Sequence, residues 1–374
     1  MTTAGDGATV AVASAEAASP PSQDTVPGRP GAGDVSRRRP QVSRWRGLPA
    51  TILAAVALIV IVIIQPLFLT ANQLTPFLAT YAPLVVMAIG VSFTLLAGGI
   101  DLSVGPVMGV CAILTVLLSS VGVHLFSAGP SGAAALCADP GLCTQGLPFG
   151  VVVALVVLAG GLLGLVNGVV IAYGRLQPLV ATLAMGFFAS GFALYMMPQP
   201  GGRFPRGLLA WYGTSATFSV PMQLLVAAAL IAAGVMRTPL GVRMRAVGSN
   251  RLKAFTSGVH VSRTTLAAYV ISGMSAGIAG ILFTLNTGSA DPTVGVTYTL
   301  TAVAGAVLGG TALRGGWADP FGPAVGVLTL GLLAELVTVA NVPTYYAQLT
   351  TGLIILGGLT ITQLFLRRSD RRTS

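Results

Sequence analysis

Apolar stretches of near-constant length recur along most of this chain, separated by short polar or glycine-rich interruptions. A helix needs about 20 residues to cross a hydrocarbon core of about 30 Å. The pattern predicts about ten such spans, at 49–69, 76–97, 104–126, 149–173, 178–197, 220–236, 264–286, 298–312, 320–340 and 345–366. Two are irregular. The span at 298–312 is short and glycine-rich, and the one before the polar stretch near 200 ends at Met196, Met197 and Pro198. Broken or re-entrant segments of that kind survive at membrane depth only where protein neighbours shield the backbone.

Residues 1–47 show no such pattern. They are rich in Ala, Ser, Pro and Gly and read as a disordered cytoplasmic tail. Residues 48–367 form the membrane domain and 368–374 a short cytoplasmic tail. The early basic cluster Arg37, Arg38, Arg39, Arg44 and Arg46 leads into a full-length span rather than a short signal-type core, so it reads as an anchor for the first helix.

Composition agrees with an all-α polytopic membrane protein. Of 374 residues, 54% are apolar and 8% charged, against about 25% charged in soluble domains. Mean hydropathy is +0.84. The net charge of +10 invites a nucleic-acid reading, but the basic residues fall in short clusters between apolar runs, where they set topology. With ten spans and a cytoplasmic N-terminus, the inside segments hold the N-terminal arginines, Arg175, the group Arg237, Arg243, Arg245, Arg251, Lys253 and Arg263, then Arg314, and finally Arg367, Arg368, Arg371 and Arg372. Arg203 and Arg206 fall outside. Both termini are therefore expected in the cytoplasm.

Cys137 and Cys143 sit in the expected outside loop 127–147, where an oxidising face allows either a disulfide or two unpaired thiols. Cys111 lies in the third span. Three cysteines and two distant histidines make no metal pattern, and no catalytic constellation is apparent.

The chain matches itself. FTLLAGGIDLSVG at 93–105 aligns with FTLNTGSADPTVG at 283–295, a constant offset of 190 residues that pairs Phe93 with Phe283, Asp101 with Asp291 and Ser103 with Thr293. Gly90 and Gly280 also correspond upstream. In the expected topology the two copies are separated by five spans, an odd number, so the second is inverted. Inverted-topology repeats are a device of transporters, which place the solute path at the repeat interface near interrupted helices. A carboxylate at such a depth costs about 2.5–3.5 kcal/mol by insertion scales. Asp101 has two readings: it caps the start of the third helix, or it touches a ligand. The basic stretch TPLGVRMRAVGSNRLKAFTSGVHVSR at 238–263 is long for a loop, and RLKAF within it predicts a short helix.

GGIDLSVG at 98–105 resembles the signature of ribose-type (simple sugar) permeases, the membrane subunits of binding-protein-dependent ABC importers, similar in turn to branched-chain amino acid permeases. NGVVIAYGRLQPLVATL at 167–183, TPLGVRMRAVGSN at 238–250, SGMSAGIAGIL at 272–282 and GGTALRGGWADPFGPAVG at 309–326 resemble further family segments in the same order. The chain departs from the family pattern at Thr301, where an acidic residue is usual, and at KAFTSGV in the basic stretch.

The resemblance implies partners: an ABC ATPase, an extracytoplasmic solute-binding protein and a second permease subunit, all at a bacterial cytoplasmic membrane. No cofactor is expected on this chain. ATP and magnesium belong to the ATPase, since the one lysine, Lys253, lies outside any phosphate-cradling Gly-Lys-Ser/Thr loop. It further implies that Gly241, Arg243, Arg245, Gly248, Asn250 and Lys253 couple to the ATPase, and that Gly98, Gly99, Asp101, Ser103 and Gly105 form the signature loop. For the substrate path the candidates are Asp101, Asn167, Thr182 and Asp291. Asn167 and Thr182 read equally as ties between helices. The spans lack Arg or Lys to hold an anion, which leaves a small neutral solute, best a monosaccharide. An ion-coupled secondary transporter is the alternative, resting on Asp101, Asp291 and Glu335.

Overall fold

The computed structural model describes residues 47–120, 147–202, 204–214 and 219–340, with isolated positions between 346 and 360. The chain divides into two units, Met1–Arg44 and Trp45–Ser374, and everything described belongs to the second. The expected N-terminal tail up to Arg46, the loop cysteines Cys137 and Cys143, Arg203, most of the last expected span and the C-terminal tail lie outside the described residues.

Twelve helices occur among the described residues: α1 (Leu48–Ile64), α2 (Ala71–Leu96), α3 (Val104–Ser120), α4 (Phe149–Ala172), α5 (Pro178–Met196), α6 (Arg206–Gly213), α7 (Val220–Arg237), α8 (Pro239–Ser249), α9 (Arg251–Thr256), α10 (Val261–Thr287), α11 (Gly295–Leu308) and α12 (Gly322–Val339). Six of them, α2, α4, α5, α7, α10 and α12, are long and apolar enough to cross a membrane. Helices α1, α3 and α11 are apolar but shorter. At 14 residues, α11 reaches about 21 Å at 1.5 Å per residue, the shortest of the apolar helices among the described residues. The short helix expected at RLKAF is α9. Two helices escaped the apolar pattern, α6 and α8, because neither is a long hydrophobic run.

The centre of the molecule is the α2–α10 pair. The most apolar window of α2 is 83% buried and that of α10 67%, against 28% for α4 and α5. Contacts run antiparallel along the pair: Thr75 lies by Asn286 and Gly288, Gly90 by Ser272 and Ser275, and Gly99 by Tyr269. Around them the contacts come in matched sets. Helix α10 packs on α3 and α4, while α2 packs on α11 and α12. The 190-residue offset interchanges α2 with α10, which coincide over almost their whole length, and α3 with α11, which overlap, whereas α4 would map beyond the end of α12.

Small residues set the interhelical distances. An added Cβ at Gly160 or Gly164 of α4 would strike the backbone of α10 at Gly273 or Tyr269, and one at Gly309 or Gly326 would strike its neighbour between α11 and α12. Membrane helices have little hydrophobic drive to associate with one another, so close backbone approach at spaced small residues supplies the packing instead.

Candidate functional site

The chain leaves α2 through Gly98, whose φ of +80° is a left-handed conformation suited to glycine. Three residues later Asp101 folds back on its own backbone. Its Oδ1 accepts from the Ser103 N–H at 3.0 Å and from the Ser103 hydroxyl at 2.7 Å, forming an Asx turn that launches α3. Ser103 holds the position just before Val104, the first residue of α3, and its carbonyl accepts from Val107 N at 2.9 Å. Asp101 therefore lies two residues before the cap it was expected to be, and organises that cap instead.

Three other elements converge on this turn. Ser272 Oγ of α10 donates to Asp101 Oδ2 at 2.7 Å, and Asn167 Nδ2 of α4 donates to Ser103 Oγ at 2.7 Å. Thr182 Oγ1 of α5 lies 3.3 Å from the Ile100 carbonyl and 3.0 Å from that of Pro178. Asp101, Ser103, Asn167, Thr182 and Ser272 are all at most 2% exposed. Burial acts against the carboxylate's charge, and the three hydrogen bonds act for it. Three of the four residues expected along a substrate path thus form one buried knot joining α3, α4, α5 and α10.

Asp291 lies elsewhere. It repeats the Asp101 turn at the start of α11, its Oδ1 accepting from Thr293 N at 2.8 Å and Thr293 Oγ1 at 2.7 Å. Gly288 ahead of it has a φ of +73°, as Gly98 has ahead of Asp101. The local geometry is the same and the surroundings differ. Position 82, which corresponds to Ser272, is an alanine, so Asp291 has no equivalent of the Ser272 bond.

The two turns face different partners. The first packs its glycines against the α8 end and the α11–α12 loop: Gly248 lies against the Leu96 carbonyl, and Gly316 N donates to Leu96 O at 3.0 Å. The second pairs with the stretch after α5, Gly201 and Ala290 exchanging backbone hydrogen bonds of 2.9 Å. Between the turns, the equivalent glycines Gly105 and Gly295 meet backbone to backbone. Gly105 N donates to Thr299 Oγ1 at 3.0 Å. The two halves of the repeat therefore cross at their own matching residues.

The segment between α7 and α10 forms two helices hinged at Asn250. Asn250 closes α8 and caps α9, its Oδ1 accepting from Lys253 N at 2.9 Å. Gly241, Met244, Val247 and Ala254 face inward, while Arg243, Arg251, Lys253, Val242, Leu252 and Phe255 are exposed. Arg245 is half-buried, with Nε lacking a partner among the described residues.

Ser272 and Tyr269 were not singled out from the sequence. Ser272 was within reach, as the first residue of the quoted SGMSAGIAGIL, but a serine in an apolar helix carries no spacing signal of its own.

Fold and site define an all-helical polytopic membrane protein in which α2–α3 and α10–α11 correspond, with a buried polar joint at one end of its central helix pair. The chain belongs to the family described as branched-chain amino acid transport system / permease component, whose model matches residues 73–359. It is 31% identical over 330 residues to a ribose import permease of Escherichia coli strain K12, covering 86% of this chain and 95% of that one. It is 29% identical over 305 residues to the D-allose transport system permease of the same strain, covering 80% and 85%. A fructose import permease of Bifidobacterium longum is 30% identical over 323 residues, covering 81% and 88%. No solved structure matches the chain. The protein is a permease subunit of an ABC-type importer in a bacterial cytoplasmic membrane, without an ATP-hydrolysing site of its own.

Proposed function

We propose that this permease carries a monosaccharide inward, supplied by an extracytoplasmic binding protein and driven by a separate ABC ATPase using ATP and magnesium. The observation that carries the reading is the near full-length likeness to import permeases for ribose, D-allose and fructose. The polar groups buried among the described helices favour it. They are hydroxyls, an amide and a single carboxylate, a set that fits a neutral hydroxylated solute better than an anion. A secondary transporter would need a chain of intramembrane acids. Asp101 is engaged by three internal donors and Asp291 folds its own turn, which favours the ATP-driven reading.

In this reading ten spans cross the membrane with both termini in the cytoplasm, and the repeat is inverted across it. The antiparallel α2–α10 pair supports that inversion. The 238–263 segment then lies on the cytoplasmic face, together with the Asp101 turn that packs beside it. It contains no acidic residue, and Val242, Leu252 and Phe255 are 57%, 73% and 68% exposed among its basic side chains. That surface suits a docking ATPase with an acidic rim. Gly241, Gly248 and Asn250 give the segment its shape, and Arg243, Arg245 and Lys253 give it charge. Motion there reaches the signature loop Gly98, Gly99, Asp101, Ser103 and Gly105 through Gly248, and reaches the path through the joint made by Asp101, Asn167 and Thr182. Asp291 marks the corresponding bend on the outer side, and a second permease subunit completes the channel.

The test is the double variant Arg243→Glu and Arg245→Glu in the complete importer. Membrane insertion is expected to persist while ATP-driven sugar uptake is lost. Retained uptake would overturn the coupling assignment.

A further inference from the structure

Helices α3 and α11 start halfway along the central helix pair, not at its ends. Helix α3 runs beside α10 with Met108, Cys111 and Ala112 against Gly280, which stands about two turns before the end of α10. Gly105, a turn or two back along α3, therefore lies near the middle of the pair, and it meets Gly295 of α11 there. From this crossing the two helices run apart. Helix α11 leads to the loop whose Gly315 and Gly316 pack on Gly248 and Ser249 of the basic segment. Helix α3 runs the other way, and Gly109, about 6 Å along it, lies against the carbonyls of Asp291 and Pro292. Asp291 thus stands well inside the distance of about 15 Å from the centre of a hydrocarbon core to its edge.

A surface that meets lipid at this depth is apolar, and α4 has one: no exposed residue of that helix bears a polar side chain. Helix α11 differs. Thr293, Val296, Thr297 and Leu300 are exposed and Thr301 is half-exposed, at i, i+3, i+4, i+7 and i+8, so they form one stripe. At the head of the stripe Asp291 is half-exposed in a turn that precedes the helix. A carboxylate and non-helical backbone are tolerated at membrane depth only where protein or a water-filled cavity meets them. Beyond Thr301 the same face is closed, since Ala304 and Leu308 are buried with Ala50 of α1 and Leu330 of α12. The stripe is therefore open from the Asp291 turn inward and sealed toward the basic segment.

We propose that this face of α11 is the wall that the subunit contributes to a water-filled translocation path, with Thr293, Thr297 and Thr301 turned to the passing solute and the Asp291 turn at its mouth. Water covers the stripe, because lipid would leave the half-exposed carboxylate and its turn unsolvated. The equivalent turn at Asp101 has the opposite fate. Asp101 and Ser103 are at most 2% exposed and are closed in by Ser272 and Asn167. One copy of the repeat therefore lines the path and the other supports it. The assignment rests on the permease reading and holds whichever solute is carried.

The experiment places single cysteines in the complete importer in proteoliposomes, in a Cys137→Ser, Cys143→Ser background that retains the buried Cys111. Leu300→Cys on the stripe is compared with Leu158→Cys on α4, two leucines of equal exposure, 61% and 59%, that differ in what covers them. Thr297→Cys is a second stripe position. The probe is a charged, membrane-impermeant methanethiosulfonate, which attacks the thiolate, a species that forms in water and is suppressed in apolar surroundings. Both stripe cysteines are expected to label at least about tenfold faster than Leu158→Cys, while all three label alike after unfolding in SDS. Labelling of the stripe is expected to stop D-ribose uptake, and reductant to restore it. Equal labelling rates for Leu300→Cys and Leu158→Cys would overturn the water-lined wall, and labelling of the stripe that leaves uptake intact would overturn its place on the path. If the cysteine forms do not transport, the labelling rates decide alone. No ribose uptake by the unaltered importer would overturn the sugar reading only, and the labelling rates would still decide the wall.

Discussion

Replacing Asp101 separates the two things its side chain contributes, shape and acceptor capacity. Asn keeps Oδ1 in place for the Ser103 N–H and hydroxyl, at 3.0 and 2.7 Å. Its amide then faces Ser272 Oγ, 2.7 Å from Oδ2, and that hydroxyl can turn to accept instead of donate. Leu keeps the volume and removes every acceptor. The Ser103 N–H and at least one hydroxyl are then buried without a partner, at about 1–3 kcal/mol each. Asp101→Leu is therefore expected to destabilise the fold by about 2–6 kcal/mol, and Asp101→Asn by about 1 kcal/mol. Cys111, a buried free thiol, provides the readout. In a Cys137→Ser, Cys143→Ser background a thiol-reactive dye reports unfolding of detergent-solubilised protein as Cys111 becomes accessible. Should Asp101→Leu express too poorly, Ser272→Ala removes one hydrogen bond to the buried carboxyl group, at about 1 kcal/mol. An unfolding midpoint for Asp101→Leu equal to that of the unaltered chain, or a fall as large for Asn as for Leu, would refute the reasoning.

Gly105→Ala places a methyl group against the Gly295 carbonyl and Thr299 Oγ1 at the crossing of the two halves, an overpacking worth about 1–3 kcal/mol or more. Gly150→Ala, with nothing within 4 Å of the new methyl, is expected to be neutral or stabilising in the same dye assay. Asn250→Ala removes the cap of α9, at about 1 kcal/mol. It is expected to lower sugar-stimulated ATP hydrolysis by the assembled importer more than it lowers the unfolding temperature; equal effects on both would argue against a coupling role.

The long helices were legible because an apolar run near 20 residues matches the thickness of a hydrocarbon core and exceeds what a soluble core helix usually buries. Every expected span within the described residues corresponds to a helix, with boundaries that move by a few residues. Helix α8 was hidden because a stretch that mixes Arg with Gly and Val has no single-period pattern, although its neighbour α9 was visible. The repeat was legible from Phe93, Asp101 and Gly105 matching Phe283, Asp291 and Gly295, and each turn is closed by the same two bonds, from the backbone N–H and the hydroxyl two residues on. What the sequence did not reveal is where the repeat fails. Ser272 opposite Ala82 looks like ordinary drift until the packing places Ser272 at a buried carboxylate. Asn167 and Thr182 were picked out on chemistry, but their convergence on the Asp101 turn depends on helix rotation, which uniformly apolar helices do not encode.

The most direct test of the account is uptake of radiolabelled D-ribose by proteoliposomes that contain this permease, its co-purified ATPase and its solute-binding protein. Uptake that needs ATP and the binding protein, and persists when ion gradients are collapsed, is the predicted result. Uptake by the permease alone, driven by an ion gradient without ATP, would contradict the account.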